Sequence, residues 1–264
     1  MVAMSTTVYG IDFSGSKSPG QKIWITEASM TDTPDNHLQV ETIQSAADRF
    51  EATHREKILP ALRDLIRQTE TGAFGLDFPF SLPKSTIGVN HWDEFLHRFA
   101  NTFAEEEIEA YPGAYASNGR SKRETDFRFG GQSPMSPQIQ YQVFYGLRDV
   151  LHPLVADDAV RVVPMQRRDP TKPTLLEVYP AATFGVEELY RTGYKDNSQQ
   201  SQRRRVNAEG LVDHEKMSIK DKDVERASHS DDALDSLCSA FAVRRALSDG
   251  LDREGRTIEG HIYA

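Results

Sequence analysis

Val8-Tyr9-Gly10-Ile11-Asp12-Phe13-Ser14-Gly15-Ser16 is the stretch whose reading decides the fold. It places one carboxylate, Asp12, inside an apolar run that closes in a turn of small residues. An ionised carboxylate buried without a partner is costly, so Asp12 must be neutralised, strongly hydrogen-bonded or bound to a cation. Gly75-Leu76-Asp77-Phe78 repeats the order of Gly, apolar residue, Asp and Phe at the end of a second short apolar run. The two runs read as neighbouring strands whose acids share one metal site.

Working outward, Thr6 to Phe13 is apolar on both faces, as in a central strand covered on two sides. Lys22 to Ala28 and His37 to Thr42 alternate and follow as further strands. Ser45 to Thr69 has helical spacing through Phe50, Ile58, Leu62, Leu65 and Ile66, with Pro60 expected to kink or restart it. Ala73 to Phe78 is then a fourth strand, which a right-handed crossover brings beside the first. Asp12 and Asp77 would then lie on strands about 4.8 Å apart.

Asn90 to Ala110 carries a helical stripe of core residues, Trp92, Phe95, Leu96, Phe99 and Phe103. Tyr111 to Gln138 lacks periodicity and carries Arg120, Lys122, Arg123, Asp126 and Arg128, which reads either as a mobile, locally basic loop or as a plain solvated connection. Gln138 to Leu151 is a further helix, Val160 to Val163 a short strand, and Thr174 to Pro180 a strand with Glu177 among apolar neighbours. Gln199 to Leu211, with Arg203-Arg204-Arg205, reads as a solvated helix face in preference to a phosphate site. The last strong element runs from Ser230 to about Leu247, with Leu234, Leu237, Cys238 and Phe241 as its apolar stripe. Asp231 suits a capping role there, while Asp232 and Asp235 stand three apart and share a face. His229 is read as an exposed residue at the helix entrance, with a role as base or extra ligand as the lesser reading. The tail from Arg256 to Ala264 suggests an edge strand through Ile258 and Ile262.

The 264 residues are 38% hydrophobic and 27% charged, an ordinary globular composition, and the net charge of -9 argues against non-specific coating of nucleic acid. Phosphate contacts must therefore be local. Cys238 is the single cysteine, which excludes an intrachain disulfide and suits a small buried apolar residue. No stretch reaches the roughly 18 apolar residues of a membrane span, and Met1 to Thr6 does not resemble a signal peptide, so no membrane partner and a cytoplasmic location are expected.

An acid on the first strand, an acid on the fourth and Asp-x-x-Asp at the start of a late helix together resemble the ribonuclease H-like superfamily, including its Holliday-junction resolvase branch. More narrowly, Gly10-Ile11-Asp12-Phe13-Ser14-Gly15, Leu76-Asp77-Phe78-Pro79, Glu177-Val178-Tyr179-Pro180-Ala181 and Asp232-Ala233-Leu234-Asp235 resemble the landmarks of domain-of-unknown-function family 429. Glu124-Thr125-Asp126 and Ser133-Pro134 resemble a loop of some members. That family is regarded as RNase H-like nucleases. The resemblance implies an α/β fold: one domain over residues 1-264, a mixed five-stranded sheet flanked by helices, and a helical and loop insertion at about 84-160 between strands four and five. It implies catalytic acids Asp12, Asp77, Asp232 and Asp235, and a metal set of these four with Glu177, holding Mg2+ or Mn2+. Two such ions about 3.5–4 Å apart would serve hydrolysis of a nucleic-acid phosphodiester. Ser14, Lys17, Arg123, Asp126 and Arg128 are the expected substrate contacts. Two other readings stand beside it. The Gly10 to Ser16 turn also resembles the first phosphate loop of the actin, Hsp70 and sugar-kinase superfamily, which implies an ATP-dependent phosphotransferase. A non-catalytic binding protein that retains the fold is the third.

Overall fold

The computed structural model of the chain describes residues 5–31, 36–111, 121–195, 198–213, 216–251 and 257–264. Arg120, with the rest of residues 112–120 of the expected loop, and Arg256 lie outside them. Strands β1 (Ser5–Asp12), β2 (Trp24–Thr31), β3 (Leu38–Ser45), β4 (Gly72–Leu76), β5 (Arg161–Val163), β6 (Thr174–Val178), β7 (Met217–Ser218) and β8 (Ile262–Tyr263) form one mixed sheet. Its order is β5-β6-β4-β1-β2-β3-β7, and β8 pairs with β6 beyond the end of β5. The expected five strands are thus an undercount. β5 and β6 pair side by side, β7 adds a strand at one margin from two residues that leave almost no periodicity to read, and the edge strand expected in the tail is present as β8 at Ile262, with Ile258 outside it.

β1 lies at the centre, antiparallel to β2 and parallel to β4, with Gly10 opposite Gly75 and Ile11 opposite Leu76. The pairing continues past the strand end, where the Asp77 N–H donates to the Ile11 carbonyl at 3.0 Å. Side chains alternate between faces. Tyr9, Ile11, Phe13, Phe74 and Leu76 join one core with helices α2 (Arg55–Gln68), α3 (Trp92–Thr102) and the helical stretch from Gln140 to Ala156. Val8, Ala73, Leu176 and Val178 join a second core on the other face, with the late helices of the chain. The result is a helix, sheet, helix sandwich that buries β1 on both sides.

Two helical expectations change in detail. The helix over 45–69 breaks into α1 (Ala46–Phe50) and α2 at Glu51, whose φ of 51° ends α1, and not at Pro60, which α2 accommodates within its length. The loop read as mobile contains α4 (Glu124–Phe129), stapled by the capping contacts between Arg123 and Asp126. The helix from Gln140 comprises α5 (Gln140–Tyr145), a π-turn over Gly146–Leu151, and α6 (His152–Ala156).

The second face is organised by α10 (Asp231–Asp249), which follows α7 (Pro180–Val186), α8 (Gln200–Asp213) and α9 (Asp221–His229). The expected apolar stripe is buried, but so is every residue from Ala233 to Arg244, because α10 is packed between the sheet and its neighbouring helices. Ser230, rather than Asp231, is the N-cap: its hydroxyl accepts from the Ala233 N–H at 3.2 Å. No helix among the described residues is long and apolar enough to cross a membrane.

The backbone of α10 rests on the two glycines. A Cβ at Gly10 would overlap the Ser236 carbonyl oxygen and the Ala240 nitrogen, and one at Gly75 would come within 2.6 Å of Val243 and 3.0 Å of the Ser239 carbonyl. A buried 2.9 Å hydrogen bond from Thr26 on β2 to the Ser236 hydroxyl holds the same contact from the other side of β1. Gly10→Ala is therefore expected to lift α10 from the sheet and to lower stability by about 3 kcal/mol, the upper part of the usual overpacking range, as read by urea unfolding.

Candidate metal centre

Gly10 and Asp12 lie two residues apart on β1 and so point to the same face; the same holds for Gly75 and Asp77 at the end of β4. The glycines let α10 approach that face, and immediately before Ser236, one turn before Ser239, it presents Asp235. The local repeat thus has two parts, a glycine that admits the helix and an acid that meets it. Ligand oxygens of Asp12, Asp77 and Asp235 all lie within 4.8 Å of one another, with Asp12 and Asp235 buried and Asp77 half-buried. No hydrogen bond or ion pair joins the Asp12 or Asp77 carboxylate to another described residue.

Asp235 is held differently. Tyr194 donates its hydroxyl to Asp235 Oδ1 at 3.0 Å, and the Lys195 ammonium stands 2.5 Å from Oδ2. Neither residue was singled out by sequence reasoning. They lie in a polar, turn-like stretch with no motif, and the one available signal is that three converging acids demand a cation. The segment that carries them is fastened by the arginine triplet. Arg204 is buried and donates to the Tyr194 carbonyl at 2.9 Å and the Ser228 carbonyl at 3.0 Å, while Arg203 donates to the Thr192 carbonyl at 3.0 Å. Arg205 alone is the solvated residue expected of all three, and it pairs with Glu209.

The electrostatics follow from this crowding. Burial, then the charge of Asp235, pushes Asp12 well above the usual carboxylate range. The same two causes raise Asp77 to about 8. Burial raises Asp235 as well, against the opposing pull of Lys195 and Tyr194, and the field of Asp235 in turn holds the Lys195 ammonium protonated more firmly than a free lysine.

Two expected members of the acid set sit apart. Asp232, one turn before Asp235, is half-buried at the rim, 3.5 Å from Lys22, and outside the tight group. Glu177 faces away from the group. It pairs with Leu76 in register, so it shares the opposite face of the sheet, and Val178 is the residue beside Asp77. There both Glu177 oxygens bind Arg123, at 2.6 and 2.8 Å, and one accepts the Phe80 N–H at 2.9 Å. Asp126 takes the other edge of the same guanidinium at 2.7 and 3.0 Å. Arg123 and Asp126 are thus corrected from substrate contacts to a buried ion network: they are 0% and 1% exposed, and their polar atoms are consumed within it. This network lines one side of a cavity of about 80 Å³ that opens next to Asp77 and Tyr179.

Of the remaining expected contacts, Lys17 and Arg128 are exposed, and Ser14 is half-buried, accepting the Ser16 N–H at 3.4 Å. His229 is exposed, with Nδ1 2.8 Å from the Glu225 carbonyl, and is not part of the group. Cys238 is fully buried, as expected of an apolar filler.

Two outcomes test these assignments. Between the ordinary carboxylate range and about pH 8 the folded chain keeps a proton on Asp77 that the unfolded chain has released, so stability falls as pH rises through that window. The metal-free protein is expected to melt progressively lower from about pH 5 to about pH 8.5, and Asp77→Asn to flatten that slope in scanning calorimetry. Arg123→Met leaves Glu177 and Asp126 buried and uncompensated, for an expected loss of about 3–5 kcal/mol in urea unfolding.

No curated protein and no solved structure matches the chain. Residues 151–257, which carry Glu177, Lys195, Asp232 and Asp235 but neither Asp12 nor Asp77, match the family described as protein of unknown function (DUF429), and this match supports the family resemblance read from the motifs.

Proposed function

We propose that the protein is a metal-dependent nuclease that hydrolyses nucleic-acid phosphodiester bonds, using Mg2+ or Mn2+ held by Asp12, Asp77 and Asp235 on an RNase H-like version of its α/β fold. The observation that carries this reading is the convergence of three acids from two adjacent strands and the late helix within 4.8 Å. An all-carboxylate set suits hard divalent ions. Oxygens opposite one another on octahedral Mg2+ lie about 4.2 Å apart, given bonds of about 2.1 Å, so small side-chain rotations would close the group around an ion. Asp12 and Asp77, without a hydrogen-bond or ion-pair partner for their carboxylates among the described residues, also fit, because a bound cation offsets the burial and the repulsion that raise both.

When bound, such an ion supplies Lewis-acid polarisation of a phosphate and a more acidic water. The chain's own residues supply the rest. Asp12 and Asp77 offer the open ligand atoms, Tyr194 fixes the orientation of Asp235, and Lys22 neutralises Asp232 at the rim. For a nucleic-acid partner, α4 presents Phe127, 71% exposed, with the Lys122 ammonium 5.9 Å from its ring centre and Arg128 beside it. An exposed aromatic ring among cations is a platform on which a base stacks while its phosphates are held. Lys17 adds a further exposed cation.

The phosphate-loop reading of Ser14-Gly15-Ser16 draws less support. Gly15 is buried against the Tyr141 backbone, and Arg55 fastens the turn by donating to the Gly15 and Ser16 carbonyls at 3.1 and 3.0 Å.

Purified protein is expected to cleave at least one of single-stranded RNA, an RNA–DNA hybrid or branched DNA with Mg2+ or Mn2+ and not with EDTA. Asp12→Asn is expected to abolish cleavage while melting at or above the wild-type temperature, since a like charge leaves the cluster. Wild-type protein that neither binds these metals nor cuts any of the substrates would sink the proposal.

A further inference from the structure

Three carboxylates meet at the centre, and one cation of the chain itself is already among them. The Lys195 ammonium is 2.5 Å from Asp235 Oδ2, while Asp235 is 1% exposed. Its contact is not that of a wandering surface lysine. The preceding residue is tied to the same carboxylate through its hydroxyl and to Arg204 through its carbonyl, and Arg203 grips the chain two residues earlier at Thr192. The side chain is half exposed, so its stem enters from solvent and delivers only its charge to the acids.

We propose that Lys195 is a resident cation of this centre, standing where a second metal ion would otherwise sit, so that the cluster takes one divalent ion instead of two. This rests on the metal reading of the preceding section and narrows it. Charge is the first reason. Asp12, Asp77 and Asp235 carry three negative charges when ionised, which one divalent ion and one ammonium match; two divalent ions beside the ammonium exceed them by two. Asp232 does not alter the balance, because Lys22 already faces it. Ligand supply is the second reason. Asp12 and Asp77 are open, but Asp235 has Oδ1 hydrogen-bonded to Tyr194 and Oδ2 facing the Lys195 ammonium, and Glu177, which could have served a second ion, is on the other face of the sheet with Arg123. Size is the third, since a group spanning 4.8 Å matches the ligand shell of one ion. Lys195 is thus a positioning residue: it fixes the metal count and holds Asp235 in place.

Mn2+ titration of the full chain, followed by calorimetry and by the loss of the free Mn2+ paramagnetic resonance signal, tests this without reference to cleavage. One ion per chain is expected for wild type and for Lys195→Arg, which keeps the charge. Lys195→Gln, which removes it from a half-exposed position, is expected to bind two. Lys195→Met serves as a second neutral variant, and melting curves verify that each variant is folded. Two ions in wild type overturn the inference, as do neutral variants that match wild type in both stoichiometry and affinity. Wild type that binds no Mn2+ defeats the metal reading itself, an outcome distinct from either.

Discussion

The contact between the α10 backbone and Gly10 and Gly75 is the constraint on which the rest depends. These glycines are neighbours across β1 and β4, and together they form a shallow trough with no side chains. Ser236, Ser239 and Ala240 are small enough to lie in it. Only at that distance do acids from two strands and a helix reach one another. A larger residue at either glycine would separate the layers and disperse the charges in one step, so packing and chemistry here share a single cause.

The sheet also divides two acid systems between its faces. Asp77 and Glu177 lie on adjacent parallel strands, yet a one-residue offset in register sends them to opposite faces. On one face Arg123 closes the account of Glu177 and Asp126 fully, giving a rigid anchor that ties α4 to the strand ends and, through the Glu259 carbonyl, to the segment before β8. On the other face Lys195 makes its direct ion pair with Asp235, and the Asp12 and Asp77 carboxylates have no such pair among the described residues. A structural ion network is satisfied internally, whereas a binding centre keeps unmet demand, and the contrast between the two faces separates these roles more sharply than composition can.

Much of this was legible in the sequence. The repeated Gly-x-Asp order foretold the β1–β4 pairing and the meeting of Asp12 and Asp77, because strand alternation and a right-handed crossover leave few alternatives. Asp235 followed from its position past the capping turn. Glu177 was misplaced because an acid within an apolar strand announces burial but not which face it takes, and the face depends on register that only pairing fixes. Arg123 looked like loop chemistry for the same reason, its partner being 54 residues away. The arginine triplet hid three separate fates behind one run of charge, and Lys195 carried no local pattern at all. The two-residue β7 was below what periodicity can resolve, whereas the edge strand expected in the tail is present as β8 at Ile262.

The manner in which Arg203 and Arg204 hold the 190–195 segment has a further consequence. Both grip carbonyl oxygens, at Thr192 and Tyr194, so the hold is indifferent to the side chain at position 192. The path of the chain is thereby encoded on α8, outside the segment that carries the lysine, and a substitution at position 192 leaves that hold in place. Identity at the centre is thus written partly in residues that never touch it, and a search keyed to the acids alone would recover the ligands but not the device that sets their charge.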